Sequence, residues 1–280
     1  MWTQIIGKIQ LALAAPLNHW WHIAQRVTSR GLSTGPLPDA DRTFQIDLDL
    51  VRHLCDVRVS DGAERRIPLR PMPVAAFHDE LCTALEALGI RVDFWRRPVE
   101  VQNPIRFDQD HTHKSYDADQ VTRFFHALAG ADRVLERFRG EFIGKSSPVH
   151  FFWGSFDLAS SRFSGRQAPP HPGGIPNLAD RVTREAYSHE VFSVGWWPGN
   201  EAYPRAAFYA YAYPEPPGFG EVRMPAGAAY ERTLGEFVFP CAVSSGDDVT
   251  EADDVLAFLR TAYSAAADLG GWDRAALEAG

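Results

Sequence analysis

Phe44, Ile46, Leu48 and Leu50 alternate with Gln45, Asp47 and Asp49, the period of two that turns one face of a strand toward a core. Val57 and Val59 keep that period up to Asp61-Gly62, a tight-turn dipeptide, and Ile67 and Leu69 continue beyond it, which predicts a hairpin. The period then changes. Val74, Phe77, Leu81, Leu85 and Leu88 share one face of a helix, and Gly89 is placed to stop it in a left-handed conformation. Ahead of these elements, Ile5 and Ile9 predict a helix that starts almost at Met1 and is stopped by Pro16, and the aromatic and β-branched stretch from His19 to Ser29 predicts a strand.

Farther along, Asp117 and Gln120 form a capping box that opens a long helix with the apolar stripe Val121, Phe124, Phe125, Leu128, Leu135, Phe138 and Phe142. Strands are predicted from Val149 to Phe163, Tyr187 to Val194, Phe208 to Tyr213 and Glu236 to Phe239. Thr250 caps a last helix in which Val255, Leu256, Leu259, Tyr263 and Ala266 face inward, with acidic residues at its favourable N-terminal end. Helix, antiparallel strands, helix is thus read twice. The predicted class is α+β, with antiparallel sheets covered by helices in two pseudo-symmetric α-β(4-5)-α halves: 1–97, a linker at 98–117, and 118–280. The halves would pack separately or as one compact domain. Some letters repeat as well. Gly7-Lys8, Pro16, His19-Trp20-Trp21 and Arg30 before Gly31 are echoed by Gly144-Lys145, Pro148, His150-Phe151-Phe152 and Arg162 before Gly165. Internal duplication and chance both account for such short matches.

Composition narrows the classes. With 280 residues, 45% of them hydrophobic and 23% charged, the chain has the balance of a packed globular protein. Its net charge of -8, with no concentrated basic run, argues against nucleic acid as a main partner. Lys8 and Gln10 interrupt the apolar stretch Ile5 to Leu17, which is too short for a bilayer and unlike a secretory signal, so no membrane partner and a cytoplasmic location are expected. Cys55, Cys82 and Cys241 have no metal-finger or disulfide spacing and read as reduced thiols. Oligomeric state is not legible.

Five runs carry a resemblance: Leu17-Asn18-His19-Trp20-Trp21-His22, the stretch from Pro148 to Asp157, His171-Pro172-Gly173-Gly174, Tyr187-Ser188-His189-Glu190, and the stretch from Phe208 to Pro214. Together they resemble an uncharacterised bacterial family catalogued only as a domain of unknown function, over nearly the whole chain. The resemblance implies no activity. Members of that family carry further residues ahead of the Trp2-Thr3-Gln4 position, so a start upstream of Met1 is an open expectation.

Candidate chemistry gathers on a few polar residues. On a strand, His19 and His22 point to opposite faces and cannot share a metal. His22 and Arg26 would then share a polar face, and Ser155 and Asp157 the equivalent face of the second half. Meeting across a cleft between the halves, these four would supply acid, base and anion clamp, or a hydrogen-bonded network stitching two sheets. His171, on the Pro/Gly-rich segment Ser164 to Asp180, would join His189 and Glu190 for proton transfer or metal binding, or remain a surface residue beside a solvated strand pair. Arg162 would hold a carboxylate or phosphate, or pair with a structural acid. Tyr209, Tyr211 and Tyr213 fall on one face of a strand and, with Trp196 and Trp197, would wall a small apolar ligand or pack a helix. Gly140 to Ser146 is one residue short of a phosphate-binding loop and follows a helix, which excludes that reading. No GxSxG, HExxH or dinucleotide fingerprint occurs. Metal and cofactor stay unassigned. The expected function is binding or transformation of a small molecule between the halves; the alternatives are a non-catalytic module with an aromatic-walled pocket and a protein interaction module.

Overall fold

Ile5 and Ile9 are fully buried on one side of α1 (Trp2–Leu13), and Ala14 leaves the helix in an extended conformation just ahead of Pro16, as the spacing predicts. The computed structural model describes residues 1–200, 203–240 and 249–279. Two compact units divide the chain. The first holds Met1–Phe125, Phe151–Phe156 and Gly173–Val182; the second holds His126–His150, Asp157–Pro172 and Thr183–Gly280. Residues 98–117, expected as a linker, fall inside the first unit.

In the first unit, β1 (Arg26–Thr28), β2 (Gly31–Ser33), β3 (Leu37–Asp39), β4 (Arg42–Asp49), β5 (Leu54–Val59) and β6 (Glu64–Pro68) form an antiparallel sheet of order β1-β2-β4-β5-β6, with β3 also on β4. One edge of β4 is shared: Phe44 pairs with Leu37 of β3, and Leu48 with Leu32 of β2. Phe44, Ile46 and Leu48 are buried as their alternation requires, but so are Asp47 and Asp49. Arginines neutralise these two carboxylates, Arg58 on Asp47 and Arg30 on Asp49. Phe77, Leu81 and Leu85 are buried on α2 (Val74–Ala87), and Gly89 follows with φ 76°.

The strand expected from His19 to Ser29 is a correction. Asn18–Ile23 is a short 3-10 turn in which His19 and Trp20 adopt φ of 56° and 61°. The Leu17 amide donates to His22 Nδ1 at 3.1 Å and closes the turn, so only Arg26–Thr28 remains to pair with β2. Two consecutive left-handed residues are incompatible with an extended chain, and the face assignment of His19 and His22 goes with the strand.

Helix α3 (Ala118–Arg139) starts where the capping box places it, with the Gln120 amide donating to Asp117 Oδ1 at 3.0 Å. It ends before Phe142. The single strand expected from Val149 to Phe163 is two, β7 (His150–Phe152) and β8 (Asp157–Gln167), parted by a turn in which Phe156 has φ 62°. A helix not legible in the sequence, α4 (Asp180–Ala186), precedes β9 (His189–Trp197). With β10 (Ala207–Tyr213), β11 (Ala229–Glu231) and β12 (Glu236–Pro240), the second sheet is antiparallel in the order β11-β12-β10-β9-β8-β7. Helices α5 (Val249–Leu269) and α6 (Arg274–Leu277) complete the chain. The side chain of the expected cap Thr250, and Cys241, lie outside the described residues.

One face of this sheet is covered by helices. Phe192 meets Phe138 of α3 and Tyr263 of α5, and Phe239 stacks on Phe258 of α5 at 5.5 Å. Period-two alternation then commits the neighbouring residues of each strand to the other face.

Candidate functional site

That other face carries Asp157 and Ser161 of β8, Ser193, Gly195 and Trp197 of β9, Tyr209, Tyr211 and Tyr213 of β10, and Glu236 of β12. Register aligns them in rows: Ser161 opposes Ser193, Ser193 opposes Tyr211, and Gly195 lies between Ala159 and Tyr209. Gly195 makes room for the tyrosine. A Cβ there would sit 2.3 Å from Tyr209 Cζ and 2.2 Å from the Leu158 carbonyl oxygen. The Tyr209 ring therefore lies down over Gly195, and its hydroxyl donates to Asp157 Oδ2.

A second group adjoins the first. Tyr209 and Tyr211 stack with centroids 6.0 Å apart, Trp197 flanks Tyr209 at 6.2 Å, and the hydroxyls of Tyr211 and Tyr187 are 2.7 Å apart. His171 stacks on Tyr187 at 4.7 Å and lies 5.0 Å from Tyr213, whose hydroxyl donates to the Pro169 carbonyl at 3.0 Å. These contacts tie the Pro-rich segment around His171 to the tyrosine row. His171, Tyr187, Trp197, Tyr211, Tyr213 and Glu236 are all half-buried, so the face keeps contact with solvent.

Electrostatics single out Glu236. Burial, reinforced by the charge of Asp157, raises its carboxyl from the usual range to about 7. Its Oε2 is enclosed without a hydrogen-bond partner among the described residues. Burial also pushes the Tyr209 and Tyr211 phenols well above their ordinary value, which keeps both as neutral hydrogen-bond donors. A carboxyl poised near neutrality among donors and aromatic rings can hold a cationic group or exchange a proton.

A family model described as a family of unknown function (DUF5996) matches residues 1–279. The chain belongs to this family. No curated protein and no solved structure matches it.

Of the residues the sequence proposed, Asp157, His171, Tyr209 and Tyr211 come to this one face of the DUF5996 protein. Trp197 joins them, whereas Trp196 alternates to the helix-covered side. His189 opens β9, with Nδ1 3.1 Å from Ser188 Oγ. Glu190 faces the opposite way and accepts from Ser164 Oγ at 2.8 Å and from Arg166, which also donates to the Gly270 and Gly271 carbonyls. That clamp ties β8 and β9 to the end of α5. His22, Arg26 and Ser155 belong to the first unit; Arg26 and Ser155 are exposed, and the His22 ring lies 5.4 Å from Trp20. Among the described residues, no three His, Cys, Asp or Glu side chains are grouped as metal ligands.

Arg162 is buried on the helix-covered side, its guanidinium 3.5 Å from the centroid of Phe138 and 4.4 Å from that of Tyr263, donating to the Phe138 carbonyl. Burial lowers its pKa to about 10. In this family member the arginine fills an aromatic cage. Arg162→Ala is expected to cost about 3 kcal/mol in chemical denaturation, from the void and the orphaned carbonyl, and Arg162→Met, which refills the space, distinctly less. Equal losses in the two variants would contradict the packing role. Glu236 has no motif around it, and its one sequence signal is that it heads the apolar strand Glu236 to Phe239 and alternates with Phe237; Tyr187 opens one of the runs that carry the family resemblance, but nothing in that run marks its hydroxyl as part of a site.

Proposed function

We propose that this protein binds a small molecule bearing a basic nitrogen on the tyrosine face of its second sheet. The observation that carries the reading is the Glu236 carboxylate, enclosed beside Asp157 with one oxygen lacking a donor among the described residues. An ammonium group at the half-buried Glu236 carboxyl supplies the opposite charge, and the half-buried Trp197 and Tyr211 offer ring faces for the substituents on nitrogen. Tyr209 holds Asp157, and Glu236 titrates near neutrality, so Glu236 can pass a proton to or from the bound molecule. His171 borders the same face through Tyr187 and Tyr213.

Isothermal titration with phenethylamine and its neutral isostere 2-phenylethanol tests this. The amine is expected to bind more tightly than the alcohol, with an affinity that rises as pH increases through about 7 and Glu236 ionises. Glu236→Gln is expected to weaken the amine at least tenfold, about 1.4 kcal/mol, and leave the alcohol unchanged. Equal affinities for amine and alcohol, or an unaffected Glu236→Gln, would rule the site out.

The free cysteines Cys55 and Cys82 support a cytoplasmic location. No helix among the described residues is long and apolar enough to cross a membrane. The acidic balance continues to favour a small-molecule ligand over nucleic acid.

A further inference from the structure

The first unit contains a cavity of about 320 Å³ that the tyrosine face does not use. Its buried floor is aliphatic: Leu32 of β2, Leu48 of β4, Leu50, Leu69 and Met72. One wall is aromatic. The Trp2 ring is stacked between Phe77, at 4.6 Å and 18°, and Tyr116, at 5.2 Å and 19°. The Tyr116 hydroxyl is 2.8 Å from His53 Nδ1, so the outer ring of the stack is held in place before any ligand arrives. Val121 and Phe124 of α3 form another side.

The mouth has the opposite character. His113, Lys114 and Ser115 line the cavity and are exposed. Asp110 fixes this segment, accepting the amides of Thr112 and His113 at 3.1 Å each and lying 2.7 Å from His113 Nδ1. An apolar chamber of this size loses dispersion contacts wherever nothing fills it, and its exposed polar residues are those of the His113–Ser115 segment. Lys114 supplies a cation at this exposed rim.

We propose that the first unit holds a separate binding site for a small amphiphilic carboxylate, its apolar body on Leu48, Leu50 and Met72 against the Trp2–Tyr116 stack and its anionic end at Lys114. Both the unit and the sign of the ligand charge differ from those of the amine site.

The probe is 1-naphthylacetate, with 1-naphthaleneacetamide as its neutral counterpart, titrated calorimetrically into the full chain. A single saturable site is expected, with the carboxylate bound several-fold more tightly than the amide. Lys114→Ala is expected to abolish that preference, and Val121→Trp, at a half-exposed helix position, to weaken both probes at least tenfold. Methyl-labelled methionine gives a check that needs no variant: naphthyl protons should show an Overhauser contact to the Met72 methyl. Absence of saturable binding, binding without that contact, or equal affinity for carboxylate and amide would each overturn the assignment. Because Glu236 is untouched here, loss of phenethylamine binding in Glu236→Gln leaves this result unaffected.

Discussion

Gly195→Ala is expected to destabilise the protein by about 3 kcal/mol, near the upper end of what an overpacked site costs. The added methyl would meet the Leu158 carbonyl oxygen at 2.2 Å and the Tyr209 ring at 2.3 Å, one from each neighbouring strand. Neither neighbour can yield cheaply. Leu158 is committed to the β8–β9 ladder, and Tyr209 is committed to Asp157. The strand must therefore shift or the phenol must leave its carboxylate, and both damage the tyrosine face. Urea denaturation gives the loss and near-ultraviolet circular dichroism the displaced tyrosine. A change below about 0.5 kcal/mol, the range of ordinary surface substitutions, would mean that the packing over Gly195 is wrong.

Replacing Glu236 with glutamine is expected to change how stability depends on pH. A carboxyl raised from its unfolded value of 4.5 to about 7 in the folded state binds more protons folded than unfolded within that window. The folded protein consequently loses stability as pH rises from 4.5 through 7, the reverse of an ordinary ion-paired carboxylate. Glutamine has no proton to lose. Wild type should fall relative to Glu236→Gln by about 2 kcal/mol between pH 4.5 and pH 8, a figure reduced from the full shift because the group is half-buried. Denaturation midpoints at the two pH values measure it. A difference between the proteins that is the same at both would show that Glu236 is an ordinary surface acid. Asp132 of α3, raised by burial to about 6, adds its own slope to both proteins and cancels in the comparison.

These expectations rest on contacts of different sequence range, which decides how far each was legible. The buried alternation of β4, the Asp61-Gly62 hairpin and the capped start of α3 depend on residues within a few positions of one another, and periodicity and turn chemistry read them directly. The turn at His19 and Trp20 was not legible, because its aromatic and β-branched letters favour a strand while a side chain five residues from Leu17 closes the turn. Helix α4 was hidden by the Pro/Gly-rich segment before it.

For the site, alternation alone put Tyr209, Tyr211 and Tyr213 on one face, since a strand has no other choice. Only the tertiary structure decided what that face meets. Asp157 lies 52 residues before Tyr209, and Glu236 reaches the site through the pairing of β12 with β10. Register between strands sets such encounters, and a slip of one residue would exchange the two faces, leaving Arg162 among the tyrosines and Asp157 under the helices. The hydrophobic surfaces offered to α3 and α5 select between those registers, and they are assembled from strands distant along the chain.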